Sequence, residues 1–189
     1  MTQLVCLLEE PSAEEMLKAV CKRILPAEVQ TRFLVFEGKQ DMDRQLERKL
    51  KYWNLSGSVF LIMRDQDSSD CHIVKENLKS KTAAAGKIDK TIIRIACHEL
   101  ESFYLGDLAA VEKGLKLHGL SALQEKRKYR EPDSLANAAQ VLKKLTGGKY
   151  QKISGSRAIG EFLRLDGGNR SQSFNALLNG IRQLTGQQQ

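Results

Sequence analysis

Four short apolar runs, three of them free of any polar residue inside their ends, most narrow the folds open to this chain. They are Leu4–Leu8, Phe33–Phe36, Ser58–Met63 and Ile92–Cys97, the last broken only by Arg94. A strand with one wet face alternates apolar and polar residues, whereas a continuously apolar strand is buried on both faces. Segments with helical spacing separate the runs, and helices between strands imply parallel, right-handed crossovers. Residues 1–107 are therefore expected to form a small doubly wound α/β unit: a four-stranded parallel sheet flanked by helices. Ligands of such folds bind beyond the carboxyl ends of the strands.

The first helix is expected from Ser12, with Ser12 as N-cap and Glu15 completing a capping box. Met16, Leu17, Val20, Ile24 and Leu25 continue it, and Pro26 follows. Asp41–Trp53 and Ser68–Lys81 read as helices, Thr82–Lys90 as a polar loop, and Glu99 as the start of another helix. Asp67 and Asp70 are both candidate caps for the third helix. Residues 108–189 read as a mainly helical C-terminal extension packed on the sheet unit. Its periodic stretches are Leu108–Leu117, Leu135–Leu145, Ala158–Leu165 and Phe174–Leu184, with breaks at Gly147-Gly148 and Ser154-Gly155 and a frayed tail over Thr185–Gln189.

Charge divides the chain in the same place. Residues 1–112 hold 16 basic and 18 acidic side chains; residues 113–189 hold 14 and 5. A basic rear half is a footprint for polyanions, nucleic acid above all. No apolar run approaches the roughly 18 residues that a membrane span needs. Leu4–Leu8 is too short, and Glu9-Glu10 too acidic, for an export signal. A cytoplasmic protein without membrane contact is expected, with Cys6, Cys21, Cys71 and Cys97 as thiols.

The acids fall at telling places. The first strand runs into Glu9-Glu10, the third into Asp65-Gln66-Asp67, and the fourth towards Glu99 and Glu101. In a parallel sheet these ends share one edge. Carboxylates gathered there repel one another unless cations hold them. Such a set of hard oxygen ligands suits Mg²⁺ or Mn²⁺, and two such ions can hold both oxygens of a phosphodiester displacement. A single acidic strand end would be read as a helix cap; three on one edge favour the metal.

A strand glutamate followed by a strand Asp-x-Asp resembles the Toprim domain of topoisomerases, primases and OLD-type nucleases. The likeness is strongest to a small prokaryotic OLD-like Toprim branch that carries a domain-of-unknown-function label. It rests on Leu7–Ser12, Phe36–Asp41, Arg64–Cys71 and Arg94–Asp107, and in the rear half on Tyr129–Asp133, Tyr150–Gly155 and Asn169–Phe174. The resemblance implies metal-dependent nucleic-acid cleavage, often beside an ATPase partner protein in phage-defence systems. It maps the Toprim glutamate to Glu9, with Glu10 where many Toprim proteins have Gly, so either is a candidate. Asp65 and Asp67 match the metal-binding Asp-x-Asp, Glu101 a further acid, and Lys152 a lysine that reaches the scissile phosphate. The implied metal ligands are Glu9, Asp65, Asp67 and Glu101. DNA or RNA would be gripped by Lys39, Arg64, Lys126, Arg127, Lys128, Arg130 and Arg170, with Arg94 a further candidate beside the phosphate.

Other constellations are weaker. Cys71-His72 and Cys97-His98 could suggest zinc, but adjacent ligands point apart and Cys97 is expected to face the core. Gly38-Lys39 lacks the spacing of a phosphate-binding loop. Tyr129, inside the basic run, could stack a base. Ser171 and Ser173 read as caps of the last helix. Tyr104 and Tyr150 raise topoisomerase-like tyrosine chemistry, for which 189 residues leave no DNA-handling domain. The rivals to a nuclease are a non-catalytic Toprim-like subunit that docks an ATPase or nucleic acid, and a primase-like nucleotidyl transferase.

Overall fold

Apolar continuity is matched by burial on two sides in the first and third runs, while the second and fourth, at the edges of the sheet, are only partly buried. In the computed structural model, which describes residues 2–187, β1 is Gln3–Leu8, β2 Gln30–Val35, β3 Ser58–Asp65 and β4 Thr91–Ala96. Gln188 and Gln189, in the expected tail, lie outside the described residues. All pairings are parallel, in the order β2-β1-β3-β4. Alternate residues of one strand feed different cores. Leu4, Cys6 and Leu8 pack on one face and Val5 and Leu7 on the other; Leu61 and Met63 oppose Phe60 and Ile62 in the same way.

The helices connecting the strands are α1 (Pro11–Ile24), α2 (Lys39–Lys51) and α3 (Cys71–Ala84). Met42, Leu46 and Leu50 of α2, with Val74 and Leu78 of α3, cover one face of the sheet. The other face receives Met16, Leu17 and Val20 of α1 and then the rear half of the chain. That half comprises α4 (Glu101–Leu105), α5 (Leu108–Gly114), α6 (Arg127–Arg130), α7 (Ala138–Leu145), α8 (Lys152–Gly160) and α9 (Gln172–Leu184). Phe103, Phe174, Leu177 and Ile181 share a cluster with Leu4 and Leu61, so one core spans both halves.

Two helix readings need correction. Helix α1 begins at Pro11, with Glu10 rather than Ser12 in the N-cap position. Proline at the first helical position is pre-set for helix and lacks an N–H that would go unused. Ser12 is buried and donates its hydroxyl back to Glu10, while Glu15 pairs with Arg157 and Lys18 instead of closing a box. Ser154-Gly155 is no break but the interior of α8. A Cβ on Gly155 would stand 2.6 and 2.8 Å from ring carbons of Tyr150, so the glycine admits that ring. Elsewhere the caps fall as expected: Asp70 accepts from the His72 and Ile73 N–H groups, and Ser171 accepts from Phe174.

Helix α8 lies along α1 and runs the same way. Glu10 meets Lys152, Glu15 meets Arg157, and Gly160 sits against Met16 and Ala19. Advancing contacts on both helices require parallel axes. This pairing carries Lys152 to the carboxyl edge of the sheet.

Candidate active site at the carboxyl edge of the sheet

Strand β3 runs two residues further than its apolar run, so Arg64 and Asp65 belong to the sheet, with Asp65 opposite Ala96 of β4. Asp65 is 9% exposed and Glu101, on α4, is 1% exposed. Burial pushes the Asp65 carboxyl well up, and the charges of Glu10 and Glu101 push it further. Glu101 is also raised, chiefly by burial, and is eased by the Tyr150 hydroxyl that donates to it at 2.8 Å. Burial works against the Lys152 ammonium, but its bond to Glu10 and the charges of Glu101 and Asp65 hold its pKa above the usual value. Glu10, Asp65, Glu101 and Lys152, drawn from four elements, thus act on one another in one place.

Glu9 serves beside this group. It accepts the Asp65 backbone N–H at 3.2 Å and lies 3.8 Å from Arg64. Burial raises its carboxyl, opposed by that N–H and by Arg64. Asp67 stands apart from Asp65, on the loop beyond β3, and pairs with Lys39 at 3.0 Å. The two acids of Asp-x-Asp therefore do different work.

The loop residues Asp67 and His98 both adopt left-handed backbone, at φ 54° and 58°. They are tied together: the Asp67 N–H donates to the His98 carbonyl at 2.8 Å, and the His98 N–H to the Gln66 side chain at 3.2 Å. Such strain persists only where surroundings hold it, and it gathers at functional sites. Cys97 is half-buried just past β4 rather than sunk in the core.

The basic residues divide. Arg64 is 8% exposed and spends its charge inward on Asp43, at 3.2 Å, and on Glu9. Arg94 donates to the Ala176 carbonyl of α9 at 3.0 Å, and its guanidinium lies against Gly180. Lys126, Arg127, Lys128 and Arg130 are exposed at α6. Tyr129 among them is buried in the core, so it has no free face on which to stack a base. Arg170 is exposed and pairs with Glu125.

Three residues beyond the expected set complete the site. Tyr150 bonds Glu101, Ser156 lies 3.4 Å from the Tyr150 hydroxyl, and Tyr104 packs its ring 6.0 Å from that of Tyr150. The Tyr104 hydroxyl is fully buried beside Ser156, makes no hydrogen bond of good geometry, and feels the charges of Glu101, Glu10 and Asp65. It is an oxygen within reach of the charges of three carboxylates. Tyr150 and Tyr104 both fall in stretches singled out in the sequence, Tyr150–Gly155 and Arg94–Asp107, but their place beside Glu101 was not legible there.

The donors suit a hard divalent cation in kind: carboxylates and a phenol, carrying more negative charge than one ammonium offsets. As they stand, no group of three or more His, Cys, Asp and Glu among the described residues is arranged to hold a metal. Among those residues, too, no helix is long and apolar enough to cross a membrane.

A family model described as Domain of unknown function (DUF4276) matches residues 8–182. No curated protein matches, and no solved structure matches.

Proposed function

The chain belongs to the family described as Domain of unknown function (DUF4276), and we propose that it is a Toprim-like, Mg²⁺- or Mn²⁺-dependent nuclease. The observation that carries this reading is the meeting of Glu10, Asp65 and Glu101 with Lys152 and the buried Tyr104 hydroxyl. Asp65, Glu101 and Glu10 would hold the cation, with Glu9 and Asp67 behind them. When bound, it supplies the charge that acidifies water and steadies phosphate oxygens.

The chain's own residues do the rest. Glu9 fixes the Asp65 backbone through its accepted N–H, and Arg64 keeps Glu9 in place between strand and helix. Tyr150 orients the Glu101 carboxylate by donating to one of its oxygens. Lys152 stays protonated among three acids, which makes it the group to meet a substrate phosphate and take up charge that develops there. The exposed cations Lys126, Arg127, Lys128, Arg130 and Arg170 grip the phosphate backbone, so binding weakens steeply with salt. Lys39 adds a further cation beside Asp67. Cytoplasmic residence and an ATPase partner are part of the same proposal.

Cleavage of labelled DNA and RNA in Mg²⁺ or Mn²⁺ tests it, with and without any ATPase encoded beside this chain. Wild type should cut and Asp65→Ala should lose at least a hundredfold; equal cleavage by both would end the reading. One observation favours a second. Glu10, Glu9 and Asp67 already face Lys152, Arg64 and Lys39, as in a subunit whose acids are neutralised internally and which only binds. Tight partner or nucleic-acid binding that survives Asp65→Ala, without metal-stimulated cleavage in any arm, would establish it.

A further inference from the structure

Beside the acids lies a cleft of about 310 Å³, lined by Glu101, Tyr150 and Lys152 together with Ala139, Lys143 and Gln151. We infer that this cleft receives one unstacked base of a single-stranded nucleic acid whose neighbouring phosphate lies at Lys152. The inference rests on the nuclease reading and adds to it a substrate class.

Continuity is the first argument. Glu101 and Lys152 belong both to the acid cluster and to the cleft wall, so a chain bound at one passes the other. Chemistry is the second. The exposed surface of the lining is mostly apolar, which suits the face of a planar ring. Gln140 and Gln151, also in the lining, carry amides that both donate and accept, as a base edge requires. Charge is the third. Lys143 and Lys152 line the cleft, and exposed Lys144 and Lys149 sit next to lining residues along the chain. Those ammonium groups suit the phosphates on either side of the base.

Size decides the class. About 300 Å³ lies at the lower bound for small-ligand pockets, enough for one base and its sugar and far too little for stacked pairs. A duplex keeps its bases stacked inside, and an enzyme reaches one only by acting on single strands or by swinging a nucleotide out. Nothing in the cleft would compensate for unpairing a duplex beyond the single base it holds.

The test measures binding, in EDTA, so that neither metal nor cleavage enters. Fluorescence anisotropy compares a labelled single-stranded oligonucleotide with the duplex of the same sequence, on the full chain. Single strand should bind at least tenfold more tightly. Ala139→Trp, which fills the cleft, should remove that preference and leave duplex binding unchanged. An oligonucleotide with one abasic position should bind wild type more weakly when the gap falls at the cleft, and Ala139→Trp indifferently. If Ala139→Trp unfolds, Gln140→Trp fills the cleft from an exposed position. Equal affinity for duplex, or a filled cleft that binds single strands as before, overturns the inference. Failure of the nuclease reading looks different: the single-strand preference and abasic effect persist, while no metal yields cleavage.

Discussion

Asp65 concentrates the tension in the site. Its carboxyl is buried next to Glu10 and Glu101, and its pKa is raised. The sign of its effect on stability is the reverse of a salt-bridged aspartate. A group that binds its proton more tightly when folded makes the folded state the more protonated one, and stability then falls as pH rises. The loss sets in above the ordinary value of 3.8 for Asp65 and 4.5 for Glu101 and continues through their raised folded values. Metal-free protein should therefore be more stable to urea at pH 5 than at pH 7.5. Asp65→Asn should flatten that slope and stabilise the neutral protein by about 1 kcal/mol, as relief of a strained functional site commonly does. An unchanged slope in the variant would show that Asp65 is not the source. Tyr150 makes a second residue-scale prediction. Its hydroxyl supplies a buried carboxylate with a donor at 2.8 Å, and losing it leaves Glu101 short by one hydrogen bond. Tyr150→Phe should cost about 1–3 kcal/mol at neutral pH. The cost should shrink in acid, where Glu101 is neutral; urea titrations at two pH values read the difference.

Among the elements, α8 shows where sequence reading succeeds and where it stops. The four strands were legible because continuous apolar runs have few explanations besides a sheet buried on both faces. The α2 and α3 helices followed from their apolar stripes, each within three residues of its observed ends. Helix α8 was not legible, because glycine counts against a helix by about 1 kcal/mol relative to alanine. The reason for keeping it lies elsewhere in the chain: Tyr150 must cross close to the helix backbone to reach Glu101, which is 49 residues away. The acid cluster was half legible. Strand topology put Glu10, Asp65 and Glu101 at one edge, but Arg64 and Arg94 are taken up by partners on other elements, Asp43 and the Ala176 carbonyl, that no local spacing announces. Gly155→Ala tests the element directly. Its methyl would press into the Tyr150 ring, which is walled in and bonded at its far end. Overpacking of this kind costs about 1–3 kcal/mol. Thermal unfolding should show that loss for Gly155→Ala, while Ser154→Ala, exposed one residue earlier, should stay within about 0.5 kcal/mol. A neutral Gly155→Ala would mean that Tyr150 is free to move.

At the scale of the molecule, the shift in charge near residue 112 suggests two parts, and the packing argues for one. Helix α8 lies on α1, α9 lies on β4 through Arg94 and Gly180, and Leu4, Leu8 and Met16 share a cluster with Phe103, Phe174 and Ile181. Without residues 108–187 the part of this face that α1 leaves uncovered, with the side of α1 that α8 covers, would meet water. Among its described residues the rear half has no strand, and it gains its burial from that face. Neither half can then be stable without the other, and the chain should unfold in one step. Trp53, the only tryptophan, reports this well because it packs on the opposite cluster, beneath α2 and α3. Its fluorescence follows the far face of the sheet unit, whereas far-ultraviolet circular dichroism draws much of its signal from α4 to α9. In guanidinium the two curves should share one midpoint and one slope. A circular-dichroism transition that precedes loss of the Trp53 signal would mean that the basic half melts off an intact sheet. Lys152 would then reach the acids only by docking, and the site would assemble on binding nucleic acid instead of standing ready for it.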